Sequence, residues 1–356
     1  MSFDRLLLGE EGVLPFYRFM ERALYCPEHG YYERRCHTPG RGGDYFTSVS
    51  VGEVFGGLLA RRFCRWMEDD GAWLMVEGGA HDGRLAADIL GWMGRVRPDC
   101  LERVRYVILE PSRVRRSWQE SLLGEWLGKV SWVDGWEALG RGGVRGVVVS
   151  NELLDAMPVV RLGWDGRCGG WFEWGVTWDG ERFIWARMER VSVLPRLAEE
   201  WLGEVTRELG GCLTEGCVLE LAPGAMEWWG MAASVLGSGY VVGFDYGWDG
   251  VEGWRLAGGR GTLRGYRGHQ WVDDVLADVG EQDLTAHVQW GLIRGVGEGA
   301  GLRTEALSPQ GRWLSGVLAE CGLDDWGAKE VRQFHTLTHP AQMGSSLQVL
   351  VQSRGR

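Results

Sequence analysis

Trp73-Leu74-Met75-Val76-Glu77-Gly78-Gly79-Ala80-His81-Asp82-Gly83 is the stretch that decides the fold. Its first half is an apolar run closed by an acid, the pattern of a strand buried on both faces. Its second half is glycine-rich, which ends the strand and turns the chain sharply. Leu85, Ala86, Ile89, Leu90 and Met93 then recur at helical spacing. Strand, tight turn and helix in succession open an α/β unit. The pattern repeats downstream. Tyr106-Val107-Ile108-Leu109-Glu110 predicts a second strand, followed by a helix led by Ser112 and reaching about Leu127. Val130–Val133 and Val147–Ser150 predict two more strands. Strands alternating with helices at this spacing predict a Rossmann-like, doubly wound parallel sheet.

Outward from this centre, residues 14–26 carry apolar side chains at 16, 19, 20, 23 and 24, a helical stripe, and Val51–Asp69 predicts a second helix. Pro27–Gly43 reads as a loop between them. Residues 161–190 break the rhythm with short strand-like runs and Gly turns, followed by a helix over Leu194–Leu209. The sheet is expected to resume at Cys217–Leu221 and Gly239–Asp245, with Ser346–Gln352 as a final strand. The expected division is therefore an N-terminal helical cap and lid loop (1–70), the first half of the sheet (71–160), an inserted substrate subdomain (161–216), and the second half with lid and C-terminal elements (217–356).

Composition narrows the function. The formal charge is −11, and no Lys/Arg cluster exceeds Arg113, Arg115 and Arg116, so a nucleic-acid binder is not expected. An acidic surface suits a basic protein partner or plain solubility. No apolar run approaches the roughly 20 residues of a spanning helix, and the start of the chain lacks a signal-peptide pattern. A cytoplasmic protein with no membrane partner, monomeric or homodimeric, is the expectation. The 8 cysteines lack the spacing of a disulfide scaffold. Cys26, His29, Cys36 and His37 invite zinc, but adjacent ligands at 36 and 37 suit a tetrahedral cage poorly, so no metal is expected. The 21 tryptophans are dispersed and read mostly as core, with Trp248 and Trp254 half-exposed on loops.

Ligands bind at the carboxyl edge of an open α/β sheet. The loop after the first strand fails the dinucleotide fingerprint Gly-x-Gly-x-x-Gly, because counting from Gly79 the third residue is His81 and the sixth Arg84. Glu-x-Gly-x-x-x-Gly, given by Glu77, Gly79 and Gly83, fits the first loop of a methyltransferase, with His81 where a middle Gly is common. Glu77 then faces the cationic end of S-adenosylmethionine. Glu110, at the end of the second strand, accepts from both ribose hydroxyls, with Ser112 beside it, and Asp134 accepts from the adenine amino group. Each residue also has a bland role. The loop serves as a bare turn, Glu110 as a cap, and Asp134-Gly135 as a turn.

The chain resembles the MidA-like methyltransferases across nearly its whole length. The residues that carry the likeness are Gly43-Asp44-Tyr45-Phe46-Thr47-Ser48, the Glu77 loop, Glu110 with Ser112 and Gln119, Asn151-Glu152-Leu153-Leu154-Asp155-Ala156, Phe244-Asp245-Tyr246-Gly247, and Asp283-Leu284-Thr285-Ala286-His287-Val288. Two departures stand out: His81 in the first loop, and Val49-Ser50 where the family continues Pro-Glu. The resemblance implies S-adenosylmethionine as cofactor. It also implies methylation of a protein arginine, in mitochondrial members on a respiratory complex I subunit.

A guanidinium acceptor is cationic and multiply donating, so carboxylates are its natural clamps. Glu152 and Asp155 are the first candidates, with Asn151 toward the cofactor. Glu220, Asp245 and Tyr246 are candidates for the same cleft, His269 and His287 for orienting the substrate or accepting a proton, and Asp44 and Thr47 for a lid. Three other readings stand beside this one: a catalytically quiet assembly factor on the same fold, a small-molecule methyltransferase, and, disfavoured by the failed fingerprint, an NAD-dependent oxidoreductase.

Overall fold

The computed structural model describes residues 12–34, 47–67, 71–188, 192, 194–256, 258–268, 270–322 and 326–355. Asp44 and His269, like Cys36 and His37, lie outside them. The described residues form two compact units, one drawn from 1–45, 154–227 and 247–295, the other from 46–153, 228–246 and 296–356. The segment expected to be a single insertion thus falls in a unit that also takes in 1–45 and 247–295.

The second of these units is built on the seven-strand path of an eight-stranded sheet: β1 (Trp73–Gly78), β2 (Val104–Leu109), β3 (Val130–Val133), β4 (Val144–Asn151), β5 (Leu236–Trp248), β6 (Arg303–Pro309) and β7 (Leu347–Arg354). The strand order is β3-β2-β1-β4-β5-β7-β6. β1 to β5 pair in parallel, while β7 lies antiparallel to both β5 and β6. Val76 is the register point, opposite Val107 on one side and Val148 on the other. The Val147-Val148-Val149 run is fully buried, as a central parallel strand covered on both faces requires.

Helices α1 (Val54–Trp66), α2 (Arg84–Val96), α3 (Arg113–Leu122), α4 (Gln310–Cys321) and α5 (Ala328–Thr338) belong to the same unit. Phe55, Leu59 and Phe63 of α1 and Leu85, Ile89 and Leu90 of α2 join Met75, Ile108, Val149 and Phe244 in one core. Phe55 meets Phe244 edge to face at 5.2 Å. Truncating such a ring to Ala costs about 3–5 kcal/mol. Pro98 ends the run of α2, and Ser112 caps α3 by accepting the Arg115 N–H at 3.3 Å. The helix expected to reach Leu127 stops at Leu122, where Gly124 interrupts it and only a short 3-10 turn follows.

The other unit holds an antiparallel sheet in the order Leu14–Pro15, Gly170–Trp178, Val160–Asp165, Val218–Leu221, with Phe183–Arg187 also pairing the long strand. The helix Phe16–Tyr25 buries Phe16, Phe19, Met20 and Leu24 against Val176 and Phe183. Val218–Leu221 thus corrects one expectation. It does not resume the parallel sheet but pairs antiparallel with Val160–Gly163, where Arg161 and Glu220 form an ion pair at 2.6 Å. Trp254 is another correction: it is buried and donates its indole N–H to the Val218 carbonyl at 2.7 Å. Tryptophans here fill core and reach polar partners, as Trp171 does to Thr206 at 2.9 Å.

Candidate active site

The strand order reverses between β1 and β4, so the crevice beyond their carboxyl ends is the topological switch point where open sheets bind ligands. After β1 the chain makes three left-handed residues: Gly79 at φ +73°, His81 at φ +46° and Gly83 at φ +89°. The Gly83 N–H closes the turn on the Ala80 carbonyl at 2.7 Å. A Cβ on Gly79 would sit 2.8 Å from Leu153 Cδ1, so the loop after β1 packs directly on the residue following Glu152. His81 explains why glycine is common at its position, since the backbone there is left-handed, a conformation His adopts at a cost of about 1–2 kcal/mol.

The acids at the strand ends differ in setting. Glu77 is buried and accepts the Tyr106 O–H at 2.7 Å. Burial pushes its carboxyl up to about 7, partly offset by that hydrogen bond. Glu110, also buried, accepts the Ser112 N–H at 2.9 Å and the Gln119 amide at 3.2 Å. Asp134 is exposed and ion-paired with Arg116.

At the end of β4 the backbone of Glu152 is left-handed, φ +49°, and its N–H donates to the Phe244 carbonyl at 2.8 Å. Its Oε1 accepts the Ser48 N–H at 2.7 Å and the Asn151 amide at 3.1 Å. Burial, helped by the neighbouring Asp245, pushes the carboxyl up to about 8 against the opposing hydrogen bonds from Ser48 and Asn151. Asp245 is fully buried, taking the Leu153 N–H at 3.1 Å and the N–H of Tyr246 at 2.8 Å. Thr47 is a helix cap. Its hydroxyl accepts the Ser50 N–H while Ser50 reaches back to the Thr47 N–H. Ser50 thus does the work of a capping-box Glu, which gives the Val49-Ser50 departure a structural reason.

Glu77, Gly79, His81, Gly83, Glu110, Ser112, Asp134, Asn151, Glu152, Asp245, Tyr246 and Thr47 all fall in this unit. Asp155, Glu220 and His287 belong to the other. There Glu220 is committed to Arg161 and to the Thr262 N–H at 2.8 Å. Burial and the nearby Arg264 hold His287 down at about 4, a neutral ring packed edge-on against Trp248 at 4.5 Å. The Asp155 carbonyl accepts the Ala286 N–H at 2.8 Å. Tyr106 shapes the site without having been singled out, since a cross-strand partner leaves no motif in the chain, whereas Leu153 packs on the Gly79 loop from within the Asn151–Ala156 stretch.

The switch-point crevice fits an S-adenosyl group. Among the described residues the buried Asn151 Oδ1 and Ser150 Oγ have no hydrogen-bond partner, at the carboxyl end of β4. Such orphaned polar atoms need a partner, and an ammonium donor satisfies the acceptor Asn151 Oδ1. Glu77 and Glu110 set two further buried carboxyl groups at the neighbouring strand ends.

A seven-strand path of this order, with a glycine loop after β1 and acids ending β1 and β2, defines a class I S-adenosylmethionine-dependent methyltransferase. A family model for S-adenosyl-L-methionine-dependent methyltransferases matches residues 58–308, and the chain belongs to that family. It is similar, at 26% identity over 95% of this chain and 82% of the relative, to "Protein arginine methyltransferase NDUFAF7, mitochondrial" of Danio rerio, and at 26% over 94% and 78% to the Homo sapiens protein of that name. A crystal structure from Burkholderia thailandensis bound to S-adenosyl-homocysteine superimposes with a TM-score of 0.82, 30% identity, and coverage of 97% of this chain and 88% of that one. Those curated relatives are mitochondrial by name, so the cytoplasmic expectation does not stand.

Proposed function

We propose that this methyltransferase modifies an arginine side chain of a protein, with Glu152 as the group that meets the guanidinium. The observation that carries this is the Glu152 carboxylate itself. It is held at the carboxyl edge of β4 by Ser48 and Asn151, and burial keeps it a stronger base than an ordinary carboxylate. The curated relatives that bear the name protein arginine methyltransferase support the acceptor class.

Bound at this edge, S-adenosylmethionine supplies an electrophilic methyl group on a sulfonium. This chain's residues do the rest. Asn151 Oδ1 accepts a donor of the cofactor, and Glu77 offers a carboxylate to its cationic end. Glu110 and Asp134 receive the ribose and adenine, with Ser112 and the glycines at 79 and 83 shaping the cradle. Glu152 would align the guanidinium, a planar cation whose donors match a carboxylate, and take the proton that the nitrogen loses as the nitrogen–carbon bond forms, the methyl–sulfur bond breaks and a neutral thioether leaves. Asp245 and Tyr246 hold the turn beneath. Asp44 and His269 are the remaining candidates for contacts to the protein substrate, since Glu220 is held by Arg161 and Thr262 and Thr47 serves as a helix cap. Incubating the enzyme with arginine-containing proteins and radiolabelled cofactor, then mapping label by mass spectrometry, tests the assignment. Label on arginine supports it, and label confined to lysine, carboxylates or small molecules removes it.

A further inference from the structure

Gln119 of α3 is fully buried, and its amide is spent on three separate parts of the cofactor site. Nε2 donates to the His81 carbonyl at 2.9 Å and to Glu110 Oε2 at 3.2 Å, and Oε1 accepts the Trp132 indole N–H at 2.8 Å. The orientation of this amide is forced. Two acceptors face one end and a donor the other, so a flipped amide would set oxygen against a carbonyl and a carboxylate. One side chain therefore ties the left-handed turn after β1, the acid ending β2, and β3.

We infer that Gln119 is a positioning residue for the cofactor, holding the first loop and the ribose-accepting carboxylate of Glu110 in register. This rests on the reading of Glu110 as the ribose acceptor. The Ser112 N–H holds Glu110 Oε1, and Gln119 Nε2 donates to Oε2 at 3.2 Å, nearer than the Arg115 guanidinium nitrogen that stands 3.9 Å from that oxygen. His81 likewise occupies a conformation that its side chain does not favour, and the hydrogen bond to its carbonyl is what Gln119 adds to that turn.

The test is titration calorimetry with S-adenosylhomocysteine on the full chain, with steady-state kinetics alongside. Gln119→Met removes both donors and is expected to weaken affinity by about tenfold or more at every pH, with kcat at saturating cofactor nearly unchanged. Gln119→Glu is expected to lose the same affinity at pH 8 and to regain part of it toward pH 5.5, where a neutral carboxyl again has a proton to donate. That recovery is not the mark of a merely structural role. Trp132→Phe, which leaves the core nearly intact, frees the amide and serves if the Gln119 variants fail to fold. A several-fold weaker affinity is expected of it. Wild-type affinity in a folded Gln119→Met, or in Trp132→Phe, overturns the inference. Glu110→Ala separates the two levels. If it binds as wild type, the ribose assignment fails, and if it weakens binding while Gln119→Met does not, only the positioning role fails.

Discussion

Oε1 of Glu152 accepts the backbone N–H of Ser48 at 2.7 Å, fastening the end of β4 to the short helix that Thr47 caps. The bond fixes a carboxylate whose own backbone is left-handed, at the edge where the sheet order reverses. A strained acid held this way is pre-aimed, which is the property a guanidinium clamp needs.

Replacing Glu152 with Gln keeps the shape and removes the proton acceptor. Turnover is expected to fall by about 100-fold or more while S-adenosylhomocysteine affinity stays within about twofold. The wild-type rate on arginine is expected to climb with pH and level off above about 8, where the carboxylate is ionised, and the Gln variant to show no such rise. Full turnover by that variant takes Glu152 out of the chemistry.

The strand and loop at 73–83 were legible because burial on both faces leaves an unbroken apolar run, and the glycines after it have few other uses. Val218–Leu221 carries the same kind of run, yet it joins the other sheet. The choice between partners is made by long-range contacts such as Arg161–Glu220, which local pattern does not contain. Strand β6 escaped for the opposite reason, since Arg303-Thr304-Glu305 has no alternation to read. Glu152 was legible as an acid after a strand, but its left-handed backbone was not, because only glycine announces that conformation in a sequence. Gln119 carries part of the family likeness beside Glu110, but its role as a hub comes only from three segments that meet in the fold.

Glu77 makes stability fall with pH. Its carboxyl titrates near 7 in the folded chain against an ordinary 4.5, so the folded state holds the proton more tightly. The associated stability is complete below about 4.5 and is lost as pH rises through 7, on the order of a few kcal/mol. Glu77→Gln is expected to flatten the decline of Tm between pH 4.5 and 7. Parallel Tm curves for the two proteins would show that Glu77 is not the source.

Asp134 is exposed, and its ion pair with Arg116 is a surface pair. Asp134→Ala is expected to shift Tm by no more than about 3 °C and to weaken S-adenosylhomocysteine binding about fivefold. An unchanged affinity would leave Asp134 as the turn residue of Asp134-Gly135 and nothing more.

The loop after β1 is the centre of the account, and titration calorimetry of the wild-type chain and Gly79→Val with S-adenosylhomocysteine addresses it most directly. Val at 79 would need φ +73°, and its Cβ would meet Leu153 at 2.8 Å, so the loop cannot keep its path. Saturable one-site binding by the wild type, lost or weakened by about tenfold or more in a folded Gly79→Val, is the result this structure predicts. Equal affinity in the two proteins would contradict it, and would move the cofactor away from the β1 edge.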